Sequence, residues 1–111
     1  MKLLFLMIFL FGCSYGGVYI EETVQSAEQL MSEMDDFILI DVRTPAEFQG
    51  GGIDGAISIP HNEILDRAEL ELPDKDIVIF VYCQTGRRSA IAAKDLSALG
   101  FLRVYDLGGL E

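Results

Sequence analysis

The chain has 111 residues, with 8 basic and 18 acidic side chains and a formal net charge of −10. This length accommodates one domain, and the negative charge argues against a nucleic-acid partner or an anionic membrane face, because phosphates are repelled. Half of the residues are apolar, which is typical of a globular rather than a disordered chain.

The N-terminal residues 1–12, MKLLFLMIFLFG, have the pattern of a secretory signal peptide. Lys2 is followed by an unbroken apolar run from Leu3 to Phe11. As a helix this run would reach about 14 Å, which is too short to cross a hydrocarbon core of roughly 30 Å. A positive residue, a short apolar run and then small residues predict an exported protein. The alternative, a buried N-terminal helix, is disfavoured because the run offers no polar face.

Two interpretations of the cleavage position remain open. The segment LFGC (10–13) resembles the bacterial lipobox, in which the cysteine is lipidated and becomes the new N-terminus, although Phe11 departs from that pattern. Ordinary cleavage near Gly16 is the competing interpretation. Residues 13–22 are predicted to form a tether, and a lipidated Cys13 would hold the domain at a membrane surface. The expected location is the periplasm or the membrane surface of a bacterium.

Cysteine usage indicates a functional thiol. With Cys13 lipidated or removed with the signal, Cys83 is the remaining cysteine. Exported domains normally use cysteines in pairs, as disulfides, so an unpaired one is a liability unless it is used. No second ligand for a zinc site accompanies it, and no metal is expected. His61 is interpreted as a surface residue or a residue at the start of a helix.

Strand and helix signals alternate along the chain. Ser26 and Gln29 fit a capping box that begins a helix at 27–34, after a first extended segment. The later predictions are a buried strand at 37–42, a helical turn from Thr44-Pro45, a flexible break at 50–52, a short strand at 55–60, an irregular helix at 61–70, a turn at 72–76, a strand at 77–82, a helix at 89–99 closed by Gly100, and a strand at 103–107. This alternation predicts an α/β fold, a small parallel sheet with helices on both faces.

The stretch YCQTGRRS (82–89) lies between the strongest predicted strand and the following helix. In parallel sheets, ligands bind at the carboxyl ends of strands, beside helix N-termini, and Cys83 falls at such a place. The backbone N–H groups of residues 84–88 could turn inward as an anion-binding nest, helped by the conformational freedom of Gly86. The helix N-terminus, Arg87 and Arg88 would add positive charge.

These features favour a thiolate at Cys83. A cysteine with a pKa near 8.5 is only about 3% ionised at pH 7, and lowering that pKa by about two units requires roughly 2.7 kcal/mol. A helix dipole worth up to ~2 kcal/mol and a nearby Arg supply this amount. The alternative is a small core residue that ends a strand. Nearby, Asp41 and Arg43 are interpreted as a structural ion pair or loop brace, or alternatively as part of a pocket edge.

Two stretches resemble the rhodanese domain family, and the resemblance runs from near Thr23 to the end of the chain. LIDVRTPAEFQGGGIDGAISIP (39–60) is similar to the family's Asp-Val-Arg segment leading into Gly-His-Ile-x-Gly-Ala. VYCQTGRRSAIAAKDLSALGFLRVYDLGG (81–109) is similar to its active-site loop, helix and closing Gly-Gly. The resemblance implies a rhodanese-like domain over residues 23–111.

The resemblance also implies sulfurtransfer. Cys83 would attack a sulfane-sulfur donor such as thiosulfate or polysulfide, become a persulfide, and pass that sulfur to a thiol or to cyanide. The implied persulfide cradle consists of Gln84, Thr85, Gly86, Arg87 and Arg88, with one further hydrogen bond from Ser89. Arg88 matches the family's arginine five positions after the cysteine. No metal or organic cofactor is implied, and the partners would be a small anionic sulfur donor and a thiol or protein acceptor.

Two other functions are alternatives to the enzyme. Cysteine-dependent phosphatases use a loop one residue longer, with Arg six positions after Cys, where this chain has Ser89. The shorter loop supplies fewer amides for a tetrahedral phosphate, so a phosphatase is disfavoured. A non-turnover sulfur carrier or protein-binding module remains the alternative, in which the loop would hold a sulfur for one protein partner.

Two departures from the family pattern lead to expectations about stability. Gly52 stands where the family commonly has His, and the glycine run is expected to loosen that loop modestly. Family members usually continue past the Gly-Gly into a short terminal segment, whereas the sequence here ends at Glu111. Either the domain tolerates the loss of that segment or the sequence is truncated, and reduced stability is expected.

Overall fold

The computed structural model describes residues 19–21 and 24–111, with side chains from Glu28 onward. The predicted signal peptide, residues 13–18 of the predicted tether and the lipidation candidate Cys13 lie outside the described residues. Residues 19–21, predicted as part of the tether 13–22, instead form a strand of the sheet. None of the helices in these ranges has the length and apolarity that crossing a membrane requires.

A parallel sheet forms the centre of the described part of the chain. Its five strands are β1 (Tyr19–Glu21), β2 (Phe37–Asp41), β3 (Ile57–Ser58), β4 (Val78–Cys83) and β5 (Arg103–Gly109). Their order across the sheet is β1-β5-β4-β2-β3, and every pairing is parallel. The predicted α/β class is confirmed.

The connections between the strands are helical. They are α1 (Val24–Ser32), α2 (Pro45–Gly50), α3 (Ile64–Glu71) after a 3-10 turn at His61–Glu63, and α4 (Arg87–Ala98). The irregular helix predicted at 61–70 is thereby confirmed. Thr44 caps α2 through a capping box with Glu47, and Pro45 occupies the first turn, where its missing N–H costs nothing.

Helix α1 begins earlier than predicted. It starts at Val24, so Ser26 lies inside the first turn and the predicted start at a Ser26 cap is wrong. Val24 is β-branched and has a low helix propensity, but this is a weak effect that the surrounding chain overrides.

Helix α4 ends as predicted, because Gly100 has φ +99°. Its N–H donates to the Ser97 carbonyl oxygen at 3.0 Å, which satisfies an end carbonyl of the helix.

Apolar side chains alternate between the two faces of the sheet, as expected for buried parallel strands. One face packs against α3 and α4 through a core that includes Ile40, Val81 and Leu96. The other face packs Leu39 and Phe80 against the half-buried Leu30, Met31 and Met34 of α1 and its C-terminal end. Both faces are therefore covered, and the strand ends remain as the place where loops converge.

Candidate active site

The loop after β4 is very short. β4 ends at Cys83 and α4 begins at Arg87, so only residues 84–86 connect them. Gly86 is the N-cap of α4 and adopts a left-handed conformation with φ +101°, which glycine enters without steric cost. This turn starts the helix two residues earlier than the predicted Ser89. Arg87 and Arg88 therefore belong to the first helical turn rather than to the loop.

The sulfur of Cys83 lies at the centre of this turn and accepts backbone hydrogen bonds. The Gly86 N–H is 2.9 Å from Sγ and the Ser89 N–H is 3.3 Å away. Cys83 is fully buried, and burial raises the pKa of its thiol. Hydrogen bonds from the Ser89 side chain and from the N–H groups of Ser89, Gly86 and Thr85 lower that pKa by more, so it lies below its ordinary value. The arrangement stabilises a thiolate.

The hydroxyl proton of Ser89 has two acceptors within reach. One is the sulfur of Cys83, whose thiolate form it stabilises. The other is the Gly86 carbonyl oxygen, 3.1 Å from Oγ. A single proton serves one acceptor at a time. The hydroxyl can therefore donate to the Cys83 sulfur when it is a thiolate and to the Gly86 carbonyl oxygen otherwise.

The two arginines differ in their surroundings. Arg88 donates to both carboxylate oxygens of Glu47, at 2.8 and 3.2 Å. The Arg87 side chain is exposed and forms no hydrogen bond or ion pair within the described residues. The hydrogen bonds to sulfur, rather than the two arginines, are the principal cause of the lowered thiol pKa. The predicted role of the arginine charges at the thiolate is therefore smaller than the sequence suggests.

Glu47 links α2 to the first turn of α4. Its Oε1 also accepts hydrogen bonds from the backbone N–H and the hydroxyl of Thr44, both at 3.0 Å. The hydrogen bond from Arg88, followed by that from the Thr44 N–H, lowers the pKa of Glu47 to about 2. Glu47 therefore stays ionised throughout the pH range in which proteins usually work, and it holds the Arg88 side chain in place.

Glu47→Gln is expected to lower the thermal midpoint of unfolding at neutral pH, and the loss should disappear in acid. The carboxyl has a pKa near 4.5 when unperturbed and about 2 in the folded chain. Its depressed folded pKa means that the ion pair stabilises the fold above pH ~4.5 and is lost as the pH falls toward about 2. Thermal unfolding of both proteins across this range checks the expectation.

The matched control for this variant is Glu33→Gln, which removes an exposed carboxylate that forms no ion pair within the described residues. Its unfolding midpoint should track the wild type across the range. A Glu47→Gln deficit that persists unchanged at pH 2 would show that the Arg88 pair is not its cause.

Asp41 and Arg43 form a buried brace beneath the loop, which confirms the predicted structural ion pair. The Arg43 Nη2 atom is 2.8 Å from Asp41 Oδ2, and the two residues are 6% and 0% exposed. Arg43 also donates to the Gly51 carbonyl oxygen at 2.9 Å and to Gln84 Oε1 at 3.3 Å. The brace thus connects the end of β2 with the loop after α2 and with the residue that follows Cys83.

Tyr82 completes this brace. Its hydroxyl donates to Asp41 Oδ2 at 2.9 Å and accepts from the Ile53 N–H at 2.9 Å. Burial raises the pKa of Tyr82, which keeps the hydroxyl protonated and able to donate. In the sheet, Asp41 of β2 lies directly opposite Tyr82 of β4, so the parallel register places the two side chains together.

The C-terminal residues form backbone hydrogen bonds with Cys83 and with the loop that follows it. The Leu110 N–H donates to the Cys83 carbonyl oxygen at 3.0 Å, and the Glu111 N–H to the Gln84 carbonyl oxygen at 3.2 Å. Gly109 lies against the loop, where a Cβ would be 2.3 Å from that Gln84 oxygen. The Gln84 side chain is also held here, because its Nε2 lies 3.4 Å from Glu111 Oε2. Gln84 is thereby directed to Arg43 and Glu111.

Gly52 and His61 lie outside the sulfur's surroundings. A Cβ at Gly52 would be 2.7 Å from the Phe48 ring, so Phe48 fills the space beside a position where the family pattern has a side chain. His61 begins the 3-10 turn, and its N–H donates to the Val42 carbonyl oxygen at 2.9 Å. The interpretation of His61 as a residue at a helix start is confirmed.

Sequence reasoning missed two contributors to this site, Glu47 and the Tyr82 hydroxyl. Thr44 followed by Glu47 is a capping-box pattern, which marks the start of α2 and could have drawn attention to Glu47. No local pattern indicates that Tyr82 reaches Asp41.

A strand end, a left-handed glycine and a helix N-terminus thus enclose a thiolate-forming cysteine, which defines a thiol-dependent site of an α/β protein. The family model of the rhodanese-like domain matches residues 23–111, and the chain belongs to this family. The sequence resemblance is thereby confirmed.

Relatives and solved structures agree with this assignment. "Thiosulfate sulfurtransferase PspE" of Escherichia coli is 42% identical over 72 residues, which cover 65% of this chain and 69% of that protein. A "Sulfurtransferase" of Allochromatium vinosum is 40% identical over 86 residues, which cover 77% of this chain and 78% of that protein. A solved rhodanese with anions from E. coli superimposes with a TM-score of 0.62 and 41% identity, covering 66% of this chain and 86% of that one.

Proposed function

We propose that the chain is a sulfurtransferase that carries sulfane sulfur as a persulfide on Cys83. The observation that carries this proposal is the pair of backbone N–H groups, from Gly86 and Ser89, directed at the Cys83 sulfur. Such donors favour negative charge at that place. The names of the two relatives described above support the same class of reaction.

The proposed reaction has two displacements. The Cys83 thiolate attacks the outer sulfur of thiosulfate, a new S–S bond forms, and sulfite leaves with the electron pair of the broken bond. A thiolate acceptor, or cyanide, then attacks the outer sulfur of the persulfide. The acceptor leaves as a persulfide or as thiocyanate, and the Cys83 thiolate is restored. No net oxidant is needed, and the residues in the turn require no metal or cofactor for either step.

Thiosulfate is proposed as a donor on charge grounds and on the name of the E. coli relative. The exposed guanidinium of Arg87 stands in the first turn of α4, where a helix N-terminus also favours anions. The sulfonate group of thiosulfate would be attracted both by the Arg87 guanidinium and by the N-terminus of α4. Polysulfide, whose terminal sulfur is also anionic, is the second proposed donor.

Incubation with thiosulfate is expected to add one sulfur atom to the protein, and a cyanide chase should remove it. Cys83→Ser should show no gain, because serine offers no nucleophile of comparable strength. Intact-mass spectrometry before and after the chase measures both steps. If Cys83→Ser gains no sulfur atom, Cys13 is also excluded as the residue that carries the added sulfur.

One observation favours the partner-dependent carrier as the second candidate. Cys83 is 0% exposed, so a donor reaches the sulfur only after a neighbouring group moves. A protein partner could supply that movement. If neither thiosulfate nor polysulfide adds sulfur to the folded protein, the enzyme proposal fails and the carrier takes its place. A phosphatase stays disfavoured, because only residues 84–86 connect β4 to α4.

We also propose that the protein is exported and acylated at Cys13. The support is the signal pattern in residues 1–12 and the LFGC segment. The expected result is that protein recovered from bacterial membranes begins at Cys13 and has the added mass of acyl chains. Recovery of an unacylated, soluble form cleaved near Gly16 would instead support ordinary export.

A further inference from the structure

A groove on the α1 face of the sheet has no role in the proposed chemistry. It has a volume of about 450 Å³ and lies between α1, the start of β2 and residues 53–55. Leu39, on its floor, belongs to the core under α1, whereas Cys83 belongs to the core on the opposite face. The groove and the sulfur are therefore on different sides of the sheet.

The floor of the groove is apolar and its rim is acidic. Met31, Phe37 and Ile53 contribute apolar surface, and each of the three is only half-buried. Four exposed carboxylates stand around them, from Glu28, Asp35, Asp36 and Asp54. Among the residues whose side chains the structure describes, no Lys or Arg lines the groove.

The rim carboxylates are unneutralised. None of the four forms a hydrogen bond or ion pair within the described residues. By contrast, Glu63 and Glu71 share Arg67, and Glu69 pairs with Lys75. Like charges gathered around an apolar surface repel one another, and a cationic partner would relieve that repulsion.

The floor is held in place without a partner. The Ile53 N–H donates to the Tyr82 hydroxyl at 2.9 Å, and that hydroxyl is fixed by Asp41. A surface that is already ordered saves a partner the entropic cost of ordering it. No group of three or more His, Cys, Asp or Glu side chains in the described ranges is arranged to hold a metal ion, so a cation bound by several carboxylates does not explain the rim.

We propose that this groove binds a basic amphipathic segment of a partner protein. An apolar side chain of the segment would lie on Met31 and Phe37, and Lys or Arg side chains beside it would meet the carboxylates of the rim. A second copy of this chain is a poorer occupant, because its net charge is also −10. Nucleic acid is excluded by the same sign of charge. The proposal does not depend on sulfurtransfer.

The probe is a synthetic amphipathic peptide of Leu and Lys, titrated into the full-length protein and followed by calorimetry and NMR. Wild-type protein should bind the peptide, with chemical-shift changes centred on Met31, Phe37 and Ile53. Asp36→Asn combined with Asp54→Asn, which removes two of the four rim carboxylates, should weaken binding about three- to tenfold. Met31→Ser should weaken it as well, through the loss of apolar contact.

The matched control removes the same charge from the other face of the sheet. Asp66→Asn combined with Asp95→Asn, on α3 and α4, should change the affinity less than about twofold. Equal weakening by both double variants would overturn the proposal, since only net charge would then matter. Shift changes spread outside the groove, or equal binding of a Leu and Glu peptide, would overturn it too.

Discussion

Asp41→Ala is expected to lower the free energy of unfolding by about 3–5 kcal/mol, the usual cost of breaking a buried ion pair from one side. Asp41 is 0% exposed and accepts hydrogen bonds from the Arg43 backbone N–H at 2.9 Å and from the Arg43 side chain. Its removal leaves a guanidinium that is only 6% exposed without a counter-charge. Urea unfolding of the purified variant measures the loss.

Two controls separate the buried charge from other causes. Asp41→Leu combined with Arg43→Met removes both charges and should recover much of the lost stability, because well-packed apolar residues replace buried pairs at little cost. Glu69→Ala breaks the exposed pair with Lys75, whose side chains are 55% and 42% exposed, and should cost about 1 kcal/mol or less. If Asp41→Ala costs no more than Glu69→Ala, the brace does not stabilise the fold as argued.

The brace of Asp41 and Arg43 also contacts the residues on either side of Cys83, so its effect on stability extends to the loop after β4. Arg43 reaches Gln84 at 3.3 Å, and Gln84 directly follows Cys83 in the chain. Tyr82, which directly precedes Cys83, is fixed by the same carboxylate at 2.9 Å. The residues on both sides of Cys83 are therefore held by one buried ion pair, so a destabilised brace should also slow the proposed formation of a persulfide.

The main elements of the fold could be predicted because their signals are local. The apolar runs that became β2 and β4 are buried on both faces, which the lack of polar alternation indicates. The same locality explains the correct end of α4 at Gly100, where a left-handed residue is needed. The predicted start of α4 is two residues late because Gly86, not a polar cap, begins the helix.

The contacts that assemble the site could not be predicted in the same way. Glu47 and Arg88 are 41 residues apart, as are Asp41 and Tyr82. Their meeting depends on β4 lying beside β2, and the chain order of the strands does not determine their order in the sheet. Local signals at the end of a strand and the start of a helix therefore indicated Cys83 and its loop, whereas the supports of that loop became visible only in three dimensions.

Gly109→Ala is expected to reduce the rate of persulfide formation by about 100-fold, the effect of displacing reacting groups by about 1 Å. A Cβ at this position would lie 2.3 Å from the Gln84 carbonyl oxygen and 2.8 Å from the Thr85 carbonyl carbon. Both contacts involve backbone atoms, which cannot rotate away as a flexible side chain can. The overpacking should also cost about 1–3 kcal/mol of stability.

The clash should affect the proposed chemistry because it displaces residues 84–85, which directly follow Cys83. Moving β5 away from residues 84–85 would strain the hydrogen bond from the Leu110 N–H to the Cys83 carbonyl oxygen. It would also move the Gly86 N–H, now 2.9 Å from the sulfur, and so weaken its support of the thiolate. Gly50→Ala is the matched control, because a Cβ there meets no atom within 4 Å. A Gly109→Ala protein that forms persulfide as fast as Gly50→Ala would show that the close packing of β5 does not position the loop.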